Sequence, residues 1–144
     1  MQTYNAKGKL HLNPNEMAFR KVYKELLEQE KITTIFRPGK RVCGDYRGYC
    51  PDQKVIVRVI DKVGADWAML PPKFLRGFSK NIVIKKVETK RLKDLVDLDF
   101  HGSTPEIYDR QSLMYNLGII YNIPQKEFTD DFLVTKTTFW YHKK

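Results

Sequence analysis

Across 144 residues, 42% of them hydrophobic and with eight Tyr, eight Phe and two Trp, the chain carries enough apolar surface for one continuous core, which excludes wholesale disorder and any need for a disulfide framework or structural metal. No apolar run approaches the ~20 residues that span a bilayer, and Met1–Lys9 lacks the apolar centre of a secretory signal, so the protein is expected to stay in the cytoplasm where it is made. The net charge of +9 is regional, because Lys31–Lys93 holds sixteen basic and five acidic residues while the remainder sums to −2; a field of that sign attracts polyanions, most commonly a nucleic-acid backbone.

After a polar leader over residues 1–12, Asn13 and Pro14 read as an N-cap and a first-turn proline, with Glu16 completing a capping box. The recurrence of Phe19, Val22, Tyr23 and Leu26 then predicts a helix over Pro14–Gln29, with Lys21/Glu25 and Lys24/Glu28 paired on its other faces. Ile32–Arg37, β-branched and aromatic, reads as a strand ended by a Pro38-Gly39 turn. Gly44, Gly48 and Pro51 punctuate the next stretch, after which Val55, Val57 and Val59 alternate with Ile56, Arg58 and Ile60 in a second strand.

Residues 61–80 contain Gly64, Pro71, Pro72 and Gly77 with little periodicity and read as a long connection or insertion carrying Trp67 and Phe74. Asn81–Thr89 is a third strand, with Ile82, Val83 and Ile84 buried and Lys85 and Lys86 near its exposed end. Arg91–Leu98 reads as a short turn or helix. Ser103 and Glu106 form a second capping-box pattern, followed by Ile107, Leu113, Met114, Leu117 and Ile120 in a helix reaching about Tyr121. Phe132–Tyr141 closes the chain as a strand. Trp67 and Trp140 are expected in the core, since a large aromatic beside apolar neighbours usually packs. No repeat or linker divides these elements, so residues 1–144 read as a single α+β domain with four or five strands and two main helices.

Arg37, Lys40, Arg41 and Arg47 follow the first strand in a Gly-rich loop interleaved with Tyr46 and Tyr49. Charge at that density suits phosphate, and a tyrosine face suits an unpaired base, so these residues, with Lys85 and Lys86, form the candidate nucleic-acid-binding set. Both tyrosines equally suit the role of half-buried loop anchors. Cys43 and Cys50 lack zinc-knuckle spacing, and His11, His101 and His142 are scattered singly, so no metal or other cofactor is expected. In a reducing compartment the two cysteines are expected to be free thiols, with a bridge between them geometrically allowed.

Lys31-Ile32-Thr33-Thr34-Ile35 at the helix-to-strand junction, a strand leading into Arg91-Leu92-Lys93-Asp94-Leu95, and an aromatic closing strand over Phe132–Phe139 together resemble the ASCH domain of the PUA-like superfamily, over roughly Phe19–Tyr141. The resemblance implies a small mixed β-barrel flanked by helices, with a cleft beside the first strand used for RNA or modified nucleobases. In the acetylcytidine amidohydrolase branch the Lys and Thr of this motif activate and supply a nucleophile, so Lys31 and Thr34 would be the catalytic pair of an enzyme. The family's Glu falls near Ser103, where the nearest carboxylates are Asp97, Asp99 and Glu106, and Phe36 displaces the family's Arg to Arg37. Without a third group to orient them, Lys31 reads as a helix-terminal cation able to meet phosphate, and Thr34 as a β-branched strand residue. The expected function is therefore RNA binding through a basic cleft beside the first strand. A small hydrolase acting on a modified nucleoside or on RNA, amidohydrolase or ribonuclease, is the alternative on the same fold. A protein-interaction module facing an acidic partner is a third.

Overall fold

A computed structural model describes residues 13–62 and 73–142. Six strands make its sheet: β1 (Glu16–Arg20), β2 (Thr34–Pro38), β3 (Lys54–Lys62), β4 (Lys73–Phe74), β5 (Lys80–Arg91) and β6 (Leu133–Tyr141). The order is β1-β3-β5-β6-β2, with β4 paired to β3 beyond the end of β5. β1 runs parallel to β3, and the remaining pairs are antiparallel. Two helices, α1 (Lys24–Glu28) and α2 (Arg110–Tyr121), flank the sheet. The result is an α+β fold in which the twisted sheet curls into a half-barrel.

Period-2 alternation sorts the strands onto two cores. The concave face buries Met17, Val55, Val57, Val59, Ile82, Ile84 and Phe139 together with Leu27 of α1 and Ile32. On the other face Phe36 and Val134 meet Leu92, Leu95 and Phe100, from the single-turn helices that follow β5, and Leu113 and Leu117 of α2. The strands foreseen around 32–37, 55–60, 81–89 and 132–141 all form, with ends shifted by a few residues.

The helix foreseen over Pro14–Gln29 does not form as such. Glu16–Arg20 is a strand, paired from Glu16↔Ile56 to Arg20↔Ile60, and only a 3-10 turn (Lys21–Tyr23) and α1 follow it. The Asn13/Glu16 bonds do exist, since the Asn13 N–H donates to Glu16 Oε1 at 3.1 Å and the Glu16 N–H to the Asn13 carbonyl at 3.0 Å. They close a turn that leads into a strand. Helix propensity differs by only a few tenths of a kcal/mol per residue, whereas burying Met17 and Phe19 against β3 is worth about 1.5–3 kcal/mol each. Tertiary pairing decides the outcome.

The second capping box is also displaced. Asp109 caps α2, accepting from the Ser112 N–H at 2.8 Å, while Ser112 Oγ accepts from the Asp109 N–H at 3.0 Å. Ser103 and Glu106 belong to the turns ahead of it, so the helix starts three residues later than Ile107. Trp67, Gly64, Pro71 and Pro72 lie outside the described residues, whereas Phe74 sits in β4 opposite Ile60. Trp140 is not a core residue but 55% exposed. Val83, foreseen as buried, is half-buried. No helix among the described residues is long and apolar enough to cross a membrane.

Candidate nucleic-acid interface

The loop from Gly39 to Gln53 carries Lys40, Arg41 and Arg47 of the basic set, with both tyrosines, and its backbone is tied down at several points. Thr135 of β6 donates its hydroxyl to the Gly39 carbonyl at 2.6 Å and accepts the Arg41 N–H at 2.8 Å. Asp45 accepts the Val42 N–H at 3.0 Å and pairs with the Lys40 ammonium at 3.5 Å. Gly48 lies so close to the Val42 carbonyl that a Cβ there would collide with backbone. Cys43 and Cys50 are joined in a disulfide, not free thiols as foreseen. Turns at residues 43–44 and 46–47 reverse the chain and bring the two side chains together, which spacing in sequence does not reveal.

Tyr49 anchors the loop from inside. It is buried, and its hydroxyl donates to the Glu16 carbonyl at 2.7 Å. Burial pushes its phenol above the ordinary range, against the opposing field of the Arg37 and Arg47 guanidinium groups nearby. Arg41, also buried, donates Nε to the Pro38 carbonyl at 3.1 Å and places its guanidinium 5.6 Å from the centre of the Tyr121 ring, at the end of α2. Tyr121 in turn lies within electrostatic reach of Tyr49. Arg41 thus lies over Tyr121, and Arg37 and Arg47 lie within electrostatic reach of Tyr49. Tyr46, by contrast, is 61% exposed at the loop tip beside Arg47, whose φ of +63° marks the turn.

Lys85 and Lys86 do not join that cluster. In β6 the Arg37 partner is Thr135, whereas the Lys86 partner is Thr138, and an odd separation along a strand puts the two on opposite faces. The register slips between Ile84 and Lys86. Lys85 at this bulge holds its ammonium 5.1 Å from the centre of the Trp140 ring, an exposed cation–π contact worth about 0.5–1 kcal/mol.

The Lys31/Thr34 motif is split by burial. Lys31 is exposed, and its ammonium has no carboxylate partner among the described residues. Thr34 is buried, and the Thr33 and Thr34 N–H groups both donate to the Gly102 carbonyl, at 2.8 and 3.1 Å. Gly102, at φ +81°, packs against both threonine hydroxyls.

Of the three carboxylates considered for a third group, Asp99 is the buried one. Its Oδ1 accepts from the Lys90 ammonium at 2.9 Å and the Lys136 ammonium at 3.1 Å, and its Oδ2 accepts the Val96 N–H at 2.9 Å. Desolvation works to raise its pKa, but the Val96, Lys90 and Lys136 hydrogen bonds outweigh it and hold the carboxyl at about 2. Lys90 is correspondingly raised, first by its bond to Asp99. Sequence reasoning missed Lys90 and Lys136, which share the Val134 face of β5 and β6, where alternation reads as outward.

A groove of about 480 Å³ lies between Leu95–Phe100 and the start of α2, lined among others by Asp97, Asp109 and Arg110. It contains none of the candidate binding residues.

No protein-family model and no curated protein sequence matches the chain. Among solved structures, protein EF3133 of Enterococcus faecalis V583, described by the family model DUF984, is similar with a TM-score of 0.57 at 13% identity, covering 99% of this chain and 93% of its own. The hypothetical protein PH0355 is similar with a TM-score of 0.48 at 13% identity, covering 88% of this chain and 97% of its own. The likeness to EF3133 is one of fold.

Proposed function

We propose that the chain is an ASCH-like member of the PUA-like superfamily that binds RNA, single-stranded or structured, at the basic loop following β2. The observation that carries this reading is the gathering of Arg37, Arg41 and Arg47 around Tyr49 and Tyr121. Guanidinium groups repel one another, and three of them held at the end of β2 and on the loop that follows it make a field suited to phosphate. Lys40 extends that field, Lys31 stands at the other end of β2 as a separate exposed cation, and exposed Tyr46 offers a face to an unpaired base. Tyr49 serves as the buried post of the loop, and Arg41 as its partly structural guanidinium. Binding is favoured over hydrolysis because a nucleophile must reach substrate, and the Thr34 hydroxyl is covered by the Gly102 turn.

Fluorescence-anisotropy titration of a single-stranded RNA 20-mer across about 50–200 mM salt tests the reading. Four to five phosphate contacts predict a slope of log K against log salt on the order of −3, and Arg47→Ala or Lys31→Ala should each reduce it by roughly 0.7 while weakening all sequences alike. Thr34→Val should leave affinity unchanged. An affinity indifferent to salt refutes the proposal, and turnover of an acylated nucleoside that is lost in Thr34→Val replaces it with the hydrolase.

A further inference from the structure

A second surface lies on the convex side of the sheet, beyond the cover of α2. The convex-facing positions of β6 are Val134, which is buried, then Lys136 and Thr138, and then Trp140, where the packed helices have run out. Register places Val83 of β5 opposite Trp140, and Lys54 of β3 opposite Val83. Trp140, Val83 and Lys54 therefore lie side by side at strand spacings of about 4.8 Å, with Lys54 about 10 Å from the tryptophan. Lys85, displaced by the bulge, rests over the indole ring, and Lys86 follows it opposite Thr138.

The charges are unbalanced. Neither Lys54 nor Lys85 has a carboxylate partner among the described residues, and Lys86 reaches only Glu88, at 3.7 Å. Asp52 borders the patch through its N–H bond to the Ile84 carbonyl and makes no ion pair there. A large, half-exposed aromatic flanked by the ammonium groups of Lys85 and Lys54 has a specific complement: an apolar π-face flanked by anions. An unpaired nucleobase between its two phosphates is that complement, whereas an acidic peptide offers anions without the face.

We infer that Trp140 is a stacking platform for a base of single-stranded RNA, with Lys85 and Lys54 receiving the flanking phosphates. The inference rests on the proposed RNA-binding function and adds to it a second contact, on the face of the sheet opposite to that of Arg37. The ammonium–indole contact of Lys85 is weaker than base stacking, so an arriving base displaces it, and the released ammonium lies beside the incoming backbone.

The test measures binding of a mixed-sequence single-stranded RNA 12-mer, the same sequence as an RNA duplex, and poly-glutamate, to the wild type and to Trp140→Ala, Trp140→Phe and Arg47→Ala. Trp140→Ala should weaken single-strand binding roughly 5- to 150-fold, the range for one stacked base, and leave the duplex unaffected. Trp140→Phe should restore most of the loss, which excludes unfolding as its cause. If Arg47→Ala weakens RNA binding and Trp140→Ala does not, the platform is refuted while the RNA-binding reading stands. An equal loss on poly-glutamate, which has no base to stack, also refutes it. If the wild type binds no RNA, the failure lies with the functional reading itself.

Discussion

Asp99→Asn removes one charge from the buried Lys90–Asp99–Lys136 network and leaves two ammonium groups facing a neutral amide. The carboxyl is held at about 2 against an ordinary 3.8, and a depression of that size corresponds to roughly 2–3 kcal/mol of stability at neutral pH. For a chain of this length that is a fall in Tm of about 7 °C. Because the folded-state pKa is the lower of the two, the contribution is complete above about pH 4 and is lost as pH falls toward 2. Urea unfolding of wild type and variant at neutral pH, repeated in steps from pH 5 to pH 2, should show a gap that closes across that window. Lys136 is the more buried lysine, its side chain 13% exposed against 28% for Lys90. The double variant Asp99→Leu/Lys136→Met should therefore recover much of the loss, since an apolar pair of similar volume avoids the desolvation cost. An Asn variant within about 0.5 kcal/mol of wild type, with the same acid profile, would refute the reasoning.

Thiol titration of the native protein should find no free cysteine, and reduction should expose two while lowering stability by about 2–3 kcal/mol, the chain-entropy value for a sequence separation of 7; two reactive thiols in the unreduced native protein would contradict the disulfide. Gly102→Ala meets two obstacles, a φ of +81° and a Cβ that runs into the Thr33 hydroxyl, so its denaturation midpoint should fall by the equivalent of about 1–3 kcal/mol; an unchanged midpoint would mean that the turn over Thr34 is not tightly packed.

Much of the candidate site was legible in the residues themselves. The density of Arg37, Lys40, Arg41 and Arg47 marked the loop, and the structure gathers the three arginines around the tyrosine pair. Composition does not state which side of a ring faces solvent, so Tyr46 and Tyr49 looked equivalent until Tyr49 was found bonded to the Glu16 carbonyl, 33 residues away in sequence. Trp140 was readable in principle: Thr137, Phe139 and Tyr141 line the concave face, and strict alternation turns the residue between the two aromatics outward.

By itself the sequence determined β2, β3, β5 and β6, because alternation and β-branching act within a few residues and survive any placement of the neighbours. It also determined the basic bias, which is a property of composition. Tertiary structure alone decided the rest. Glu16–Arg20 became a strand because β3 offered an edge on which Met17 and Phe19 could be buried, and a burial gain of several kcal/mol overrides a local preference worth tenths. The disulfide depends on the turns within its own loop, whereas the burial of Thr34 beneath Gly102 and the Lys90–Asp99–Lys136 network join residues that chain separation or strand order leaves apart until the sheet forms. Such contacts depend on where distant segments meet, and no local periodicity carries that information.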